Sequence, residues 1–172
     1  MSKLSNKSLA AARPAVSGPR LNDVIERART IFADRNLRFT DLRQQVFTEI
    51  ASTNGAIGAY DILERLSVKG TRLAPISVYR SIDALLDAGV IHRLESKNAY
   101  FACRRHEHQS KGRPIFLSCE RCGSVSEVAA QGVFDLINAI ARESGFEPKV
   151  KFVEVSGVCP QCAKRADRDG TK

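Results

Sequence analysis

Two cysteine pairs with the same spacing, Cys119-x-x-Cys122 and Cys159-x-x-Cys162, restrict this 172-residue chain more than any other feature. Two residues between thiolates let one turn present both sulfurs to a single ion. Two such turns complete a tetrahedral four-sulfur site with arms of about 2.3 Å to zinc. The 36 residues between the pairs exceed the spacing of a compact zinc ribbon, so the two knuckles belong to separate elements that the fold brings together. A dithiol redox centre uses the same motif. Neither pair sits in a strand–helix–strand pattern, however, and a doubled all-thiolate set suits a structural zinc.

Charge divides the chain at about the point where the cysteine pairs begin. Residues 1–113 hold 19 Lys and Arg against 11 Asp and Glu, whereas residues 114–172 hold eight of each, so the net +8 belongs to the first part. A basic module followed by a neutral, cysteine-bearing one suggests a polyanion binder joined to a second unit. No run approaches the roughly 18 apolar residues of a membrane span. The first 20 residues carry Lys3, Lys7, Arg13 and Arg20 without an apolar stretch, so no secretory signal is expected and the protein should be cytoplasmic. In that compartment five cysteines indicate metal or redox chemistry before a disulfide framework.

Periodicity places these modules on elements. Residues 1–20 show no apolar period and are expected to form a disordered tail. Leu21, Val24, Ile25, Ala28, Ile31 and Phe32 then mark one face of a helix. A second helix starts from Thr40 as N-cap, with Leu42, Val46, Phe47 and Ile50 inward, and ends at Asn54-Gly55. A third covers about Ala59 to Leu66. A fourth opens near Pro75 or Ser77 and stops at Gly89, burying Val78, Ile82, Leu85 and Leu86. At 100° per residue Arg80 falls about 200° from Val78 and so points outward. Ile91–Glu95, a Ser96-Lys97-Asn98 turn and Ala99–Cys103 read as a β-hairpin. Helices, an outward arginine and a hairpin in this order predict a winged helix-turn-helix over 21–103.

Residues 104–113 are polar and read as a hinge linker. Beyond them, Pro114–Cys119 and Gly123–Val128 read as strands, Val133 to Ala141 as a helix, and Lys149–Ser156 as a third strand. This α/β unit over 114–172 is too small to bury much core and needs a metal staple, a dimer partner, or both. The fold class is therefore α+β, in two domains.

Cys103 ends the hairpin beside a linker carrying His106 and His108, with His92 on the partner strand. All three histidines of the chain lie within 17 residues around one thiol, which favours a second metal site over scattered surface imidazoles. No catalytic signature accompanies it: G-x-S-x-G, H-E-x-x-H and a phosphate-cradling glycine loop are all missing. A non-enzymatic role is expected.

The run Ile76-Ser-Val-Tyr-Arg-Ser-Ile-Asp-Ala-Leu-Leu-Asp-Ala-Gly89, the wing Ile91-His-Arg-Leu-Glu95 and the two cysteine pairs resemble the ferric uptake regulator (Fur) family of bacterial metalloregulators, closest to its zinc uptake regulators (Zur). The resemblance spans about residues 21–165. It implies a homodimeric repressor that binds double-stranded operator DNA through the winged-helix domains and dimerises around Cys119, Cys122, Cys159 and Cys162. It also implies a regulatory zinc, the second per chain, on His92, Cys103, a linker histidine and Glu127. The linker departs from the usual pattern, since His108 stands eleven residues before Cys119 with Gly112 and Pro114 between. His106 and His108 both remain open, with His108 preferred because more chain lets it fold back. Tyr60 and Arg80 are the implied DNA contacts, with a core aromatic as the lesser alternative for Tyr60. Zinc is favoured over iron because Cys103 adds a soft ligand and the helix from Gln131 to Ser144 has no histidine. The alternatives are an iron- or peroxide-responsive relative, a constitutive zinc-ribbon nucleic-acid module, and a dithiol oxidoreductase.

Overall fold

The computed structural model describes residues 19–70, 73–104, 113–149 and 152–169. These fall into two compact units, 19–104 and 113–169. Residues 1–18, most of the expected tail, and 105–112, most of the expected hinge, lie outside the described residues, as do His106 and His108.

The first unit runs α1 (Pro19–Asp34), α2 (Asp41–Ser52), β1 (Ile57–Gly58), α3 (Ala59–Val68), α4 (Pro75–Asp87), β2 (Ile91–Leu94) and β3 (Ala99–Ala102). Each helix boundary has a local cause. The Thr40 hydroxyl accepts from the Arg43 N–H and so caps α2. Asp61 accepts from the Gly58 N–H at 3.3 Å and closes the first turn of α3. Pro75 occupies the first position of α4, where its missing N–H costs nothing. Helix α4 ends in a Schellman turn: Gly89 N–H bonds Leu86 C=O, Val90 N–H bonds Leu85 C=O, and Gly89 holds φ +68°.

The apolar stripes of these helices, Phe32, Val46, Phe47, Ile50, Ile62, Val78, Ile82 and Leu85, meet in one core with Ile91 of β2. Each fully buried side chain of this size contributes about 1.5–3 kcal/mol relative to exposure. Phe39 stacks tilted on Phe32 with centroids 4.9 Å apart, and Arg29 lies over its outer face. The wing is a three-stranded antiparallel sheet in the order β1-β3-β2, with His92 opposite Phe101 and Arg93 opposite Tyr100. A 3-10 turn over Glu95–Lys97 and Asn98 at φ +45° reverse the chain. Strand β1 escaped the sequence reading because two residues carry no period.

The second unit comprises β4 (Pro114–Cys119), β5 (Val125–Ala129), α5 (Gln131–Glu143), β6 (Glu154–Gly157) and α6 (Pro160–Asp169). Its sheet has the order β5-β4-β6, antiparallel on one side of β4 and parallel on the other. Of the expected strand over 149–156, residues 150 and 151 lie outside the described residues, and the strand observed is Glu154–Gly157, with Phe152 and Val155 exposed. One residue ahead of this edge strand, the Val153 carbonyl still accepts from the Phe116 N–H at 3.0 Å. Helix α6 was not anticipated, since its sequence Gln-Cys-Ala-Lys-Arg has almost no apolar stripe. Among the described residues only Phe116, Val125, Phe134, Cys119 and Cys162 form the buried apolar set of this unit. Two of those five are cysteines, so the thiol cluster is itself part of the core.

Candidate metal centre and nucleic-acid interface

Strand β4 delivers Cys119, and the turn that follows brings Cys122 back beneath it, with Gly123 at φ +72° donating its N–H to the Cys119 carbonyl at 2.9 Å. The parallel ladder sets Cys119 opposite Gly157, which places Cys159 beside the same turn. The first turn of α6 then presents Cys162. Arg121 clamps the arrangement from the side by donating to the Cys162 carbonyl at 3.2 Å.

The four sulfurs lie within 4.8 Å of one another, and none is in a disulfide. A tetrahedron with arms of about 2.3 Å has edges of about 3.8 Å. The Cys122 and Cys159 sulfurs are 3.8 Å apart. Electrostatics agree with a cation site. Backbone N–H groups of Cys122 and Cys159 hold the Cys119 thiol down to about 6, the Cys159 N–H at 3.3 Å. The Ser124 hydroxyl, 3.1 Å away, lowers Cys122. Cys162 is pushed up to about 12, chiefly by its hydrogen bond with Cys159 and then by burial. Crowded sulfurs cannot all ionise unaided, and a divalent thiophilic cation allows them to do so. The donor set fits zinc.

His92 and Cys103 meet on the wing for a reason of register. The Cys103 N–H bonds the Val90 carbonyl at 2.9 Å, extending the β2–β3 ladder by one residue. Residue 92 is two beyond residue 90, so its side chain and that of Cys103 are diagonal neighbours on one face. Their donor atoms lie within 4.8 Å. Arg27 of α1 donates to the Cys103 carbonyl and anchors the strand end to the helical core. Glu127 lies on β5 of the second unit, half-buried and opposite Phe116.

Tyr60 stands at the second position of α3 and is 74% exposed, which removes core packing as its role. Arg80 is exposed on α4 as its angle required. Tyr79 was not singled out from the sequence, yet its phenol is raised by partial burial and by the neighbouring Tyr60 phenol. Its 100° offset from Val78 marks it as a flank of the buried stripe, a signal the wheel contains. Lys97 sits at the exposed wing tip.

Comparison with known proteins agrees with this anatomy. The model of the ferric uptake regulator family matches residues 34–156. The zinc uptake regulation protein of Escherichia coli (strain K12) is 34% identical over 142 residues, covering 83% of this chain and 82% of that protein. A solved zinc uptake regulator in complex with zinc and DNA is similar over 87% of this chain and 99% of its own, with TM-score 0.77 and 33% identity. Holo XcZur is similar over 83% and 99%, with TM-score 0.72 and 34% identity.

Proposed function

This chain belongs to the ferric uptake regulator family, and from that premise we propose that it is a cytoplasmic zinc-responsive repressor controlling zinc uptake genes. It binds operator DNA as a homodimer when zinc is replete, and it acts by binding rather than by turnover. The observation that carries the reading is the pairing of His92 with Cys103 on the wing of the basic unit. An imidazole and a thiol within reach of one ion form a soft donor pair, which suits zinc better than iron(II) or manganese. Their position on the hairpin couples metal occupancy to the unit that would meet DNA.

We assign two zincs per chain. Cys119, Cys122, Cys159 and Cys162 hold a structural ion, and His92, Cys103, Glu127 and a linker histidine, His108 before His106, hold a regulatory one. Zinc supplies a redox-inert divalent charge that ties thiolate, imidazole and carboxylate ligands into one fixed arrangement. Ligands drawn from residues 92–103, the hinge 104–113 and the dimerisation unit 114–172 would select one placement of the two DNA-binding units. Arg80 then faces base edges, Tyr60 reaches a base edge or a phosphate, and Lys97 contacts phosphate.

Dimerisation is supported by α5. Leu136 and Ile140 are 61% and 55% exposed, and Val133 joins them on the same face. A row of large apolar side chains on a unit with so small a core favours a second copy as its cover. The deciding experiment is operator binding titrated against free zinc, with iron(II) and manganese(II) as controls. Tighter binding with zinc alone supports the reading. An equal response to iron(II) favours the iron-sensing alternative.

A further inference from the structure

The outward face of α4 changes character along its length. With buried Val78 as the inward reference, Ile76 lies at about 160°, Arg80 at about 200°, Asp83 at about 140° and Asp87 at about 180°. All four are exposed and share one sector about 60° wide. The sector begins apolar and cationic, then becomes acidic. Ile76 is 57% exposed, directly after Pro75 at the first helical position and one turn before Arg80. Asp83 and Asp87 repel a polyanion, so only the N-terminal end of this face can approach a duplex closely. That is the end a helix-turn-helix inserts.

We propose that Ile76 is a specificity-determining residue that reads the 5-methyl group of a thymine in the major groove, within about two base pairs of the base bonded by Arg80. The inference rests on the reading of α4 as the recognition helix. Four residues of helix advance about 6 Å, less than two base steps of about 3.4 Å. Thymine is the one base that projects an apolar group into the major groove. A phosphate is a poor match for isoleucine, because burying the side chain against it strips solvent from the charge. The β-branched side chain is also stiff at χ1, so little rotamer freedom is lost when it is covered.

The test uses full-length, zinc-loaded protein and a duplex selected from random sequence by the wild type. Each thymine is replaced in turn by uracil, which removes only the methyl. One position per half-site should weaken wild-type binding about fourfold, the value of one buried methyl. Ile76→Ala should bind the thymine duplex about fourfold more weakly and be indifferent to uracil at that position. Ile76→Val should keep the sensitivity, and Arg80→Ala should keep it while losing discrimination at a neighbouring guanine. Circular dichroism checks that the variants fold, as an exposed position predicts. If zinc-dependent selection succeeds but wild type and Ile76→Ala show the same uracil profile, Ile76 does not read a methyl and the proposal falls alone. A loss in Ile76→Ala that is uniform across sequences would overturn it equally, pointing to a protein contact. Failure of the wild type to select any duplex with zinc overturns the recognition-helix reading and this inference with it.

Discussion

A cysteine pair two residues apart is legible because covalent spacing alone puts both sulfurs on one turn, and here all four sulfurs do converge. What spacing could not reveal is the support around them: the N–H of Cys159 on the Cys119 sulfur, the Ser124 hydroxyl on Cys122 and the Arg121 clamp. These depend on the parallel β4–β6 ladder, which joins residues nearly 40 apart. Cys162→Ser should therefore remove a thiolate from the core as well as from the ion, and cost most of the folding free energy that zinc supplies to the second unit. Thermal unfolding with and without chelator measures this, and a well-folded, dimeric, metal-free variant would contradict it. On the opposite unit, Arg80→Ala should cost about 1–3 kcal/mol and relax discrimination at one base. Lys97→Ala should weaken all sequences alike and flatten the salt slope. Equal losses on specific and random DNA for Arg80→Ala would make Arg80 a phosphate contact.

At the scale of elements, the four helices and the hairpin of the first unit were legible because strong periods and strong stop signals coincide. Val78, Ile82 and Leu85 repeat on one face, and Gly89 ends the run in the left-handed region. An added Cβ at Gly89 meets nothing nearer than an Arg35 guanidinium nitrogen at 3.8 Å, so Gly89→Ala carries strain without a clash. It should destabilise the unit by about 1–2 kcal/mol, read from a denaturant midpoint at unchanged slope. No change in the midpoint would mean that the turn relaxes. In the second unit the periodic signal is weaker. Among the described side chains of α6 only Cys162 is buried, and β6 is an edge strand with exposed Val155. Their positions follow from the thiol cluster and from a ladder partner, neither of which local periodicity records.

The whole molecule joins a well-packed basic unit to a neutral unit whose apolar side chains exceed what its own core can take in. Leu136 and Ile140 on α5 are the clearest surplus, and replacing both by Asp should leave a folded monomer in sedimentation. Persistent dimers would place the interface elsewhere. Tyr60 and Arg80 are exposed on the first unit, and at its wing His92 and Cys103 bring an imidazole and a thiol within 4.8 Å of each other. Under the proposed function, a metal held at His92 and Cys103, rather than the four-cysteine ion, licenses DNA binding. Operator affinity measured against free zinc for the wild type and for Cys103→Ser tests it most directly, because Ser is a far poorer zinc ligand than a thiolate. Cys103→Ser should stay folded and dimeric with one zinc per chain, yet bind the operator only as weakly as wild type stripped of its exchangeable zinc. Unchanged zinc dependence in Cys103→Ser would contradict it and leave a constitutive nucleic-acid module.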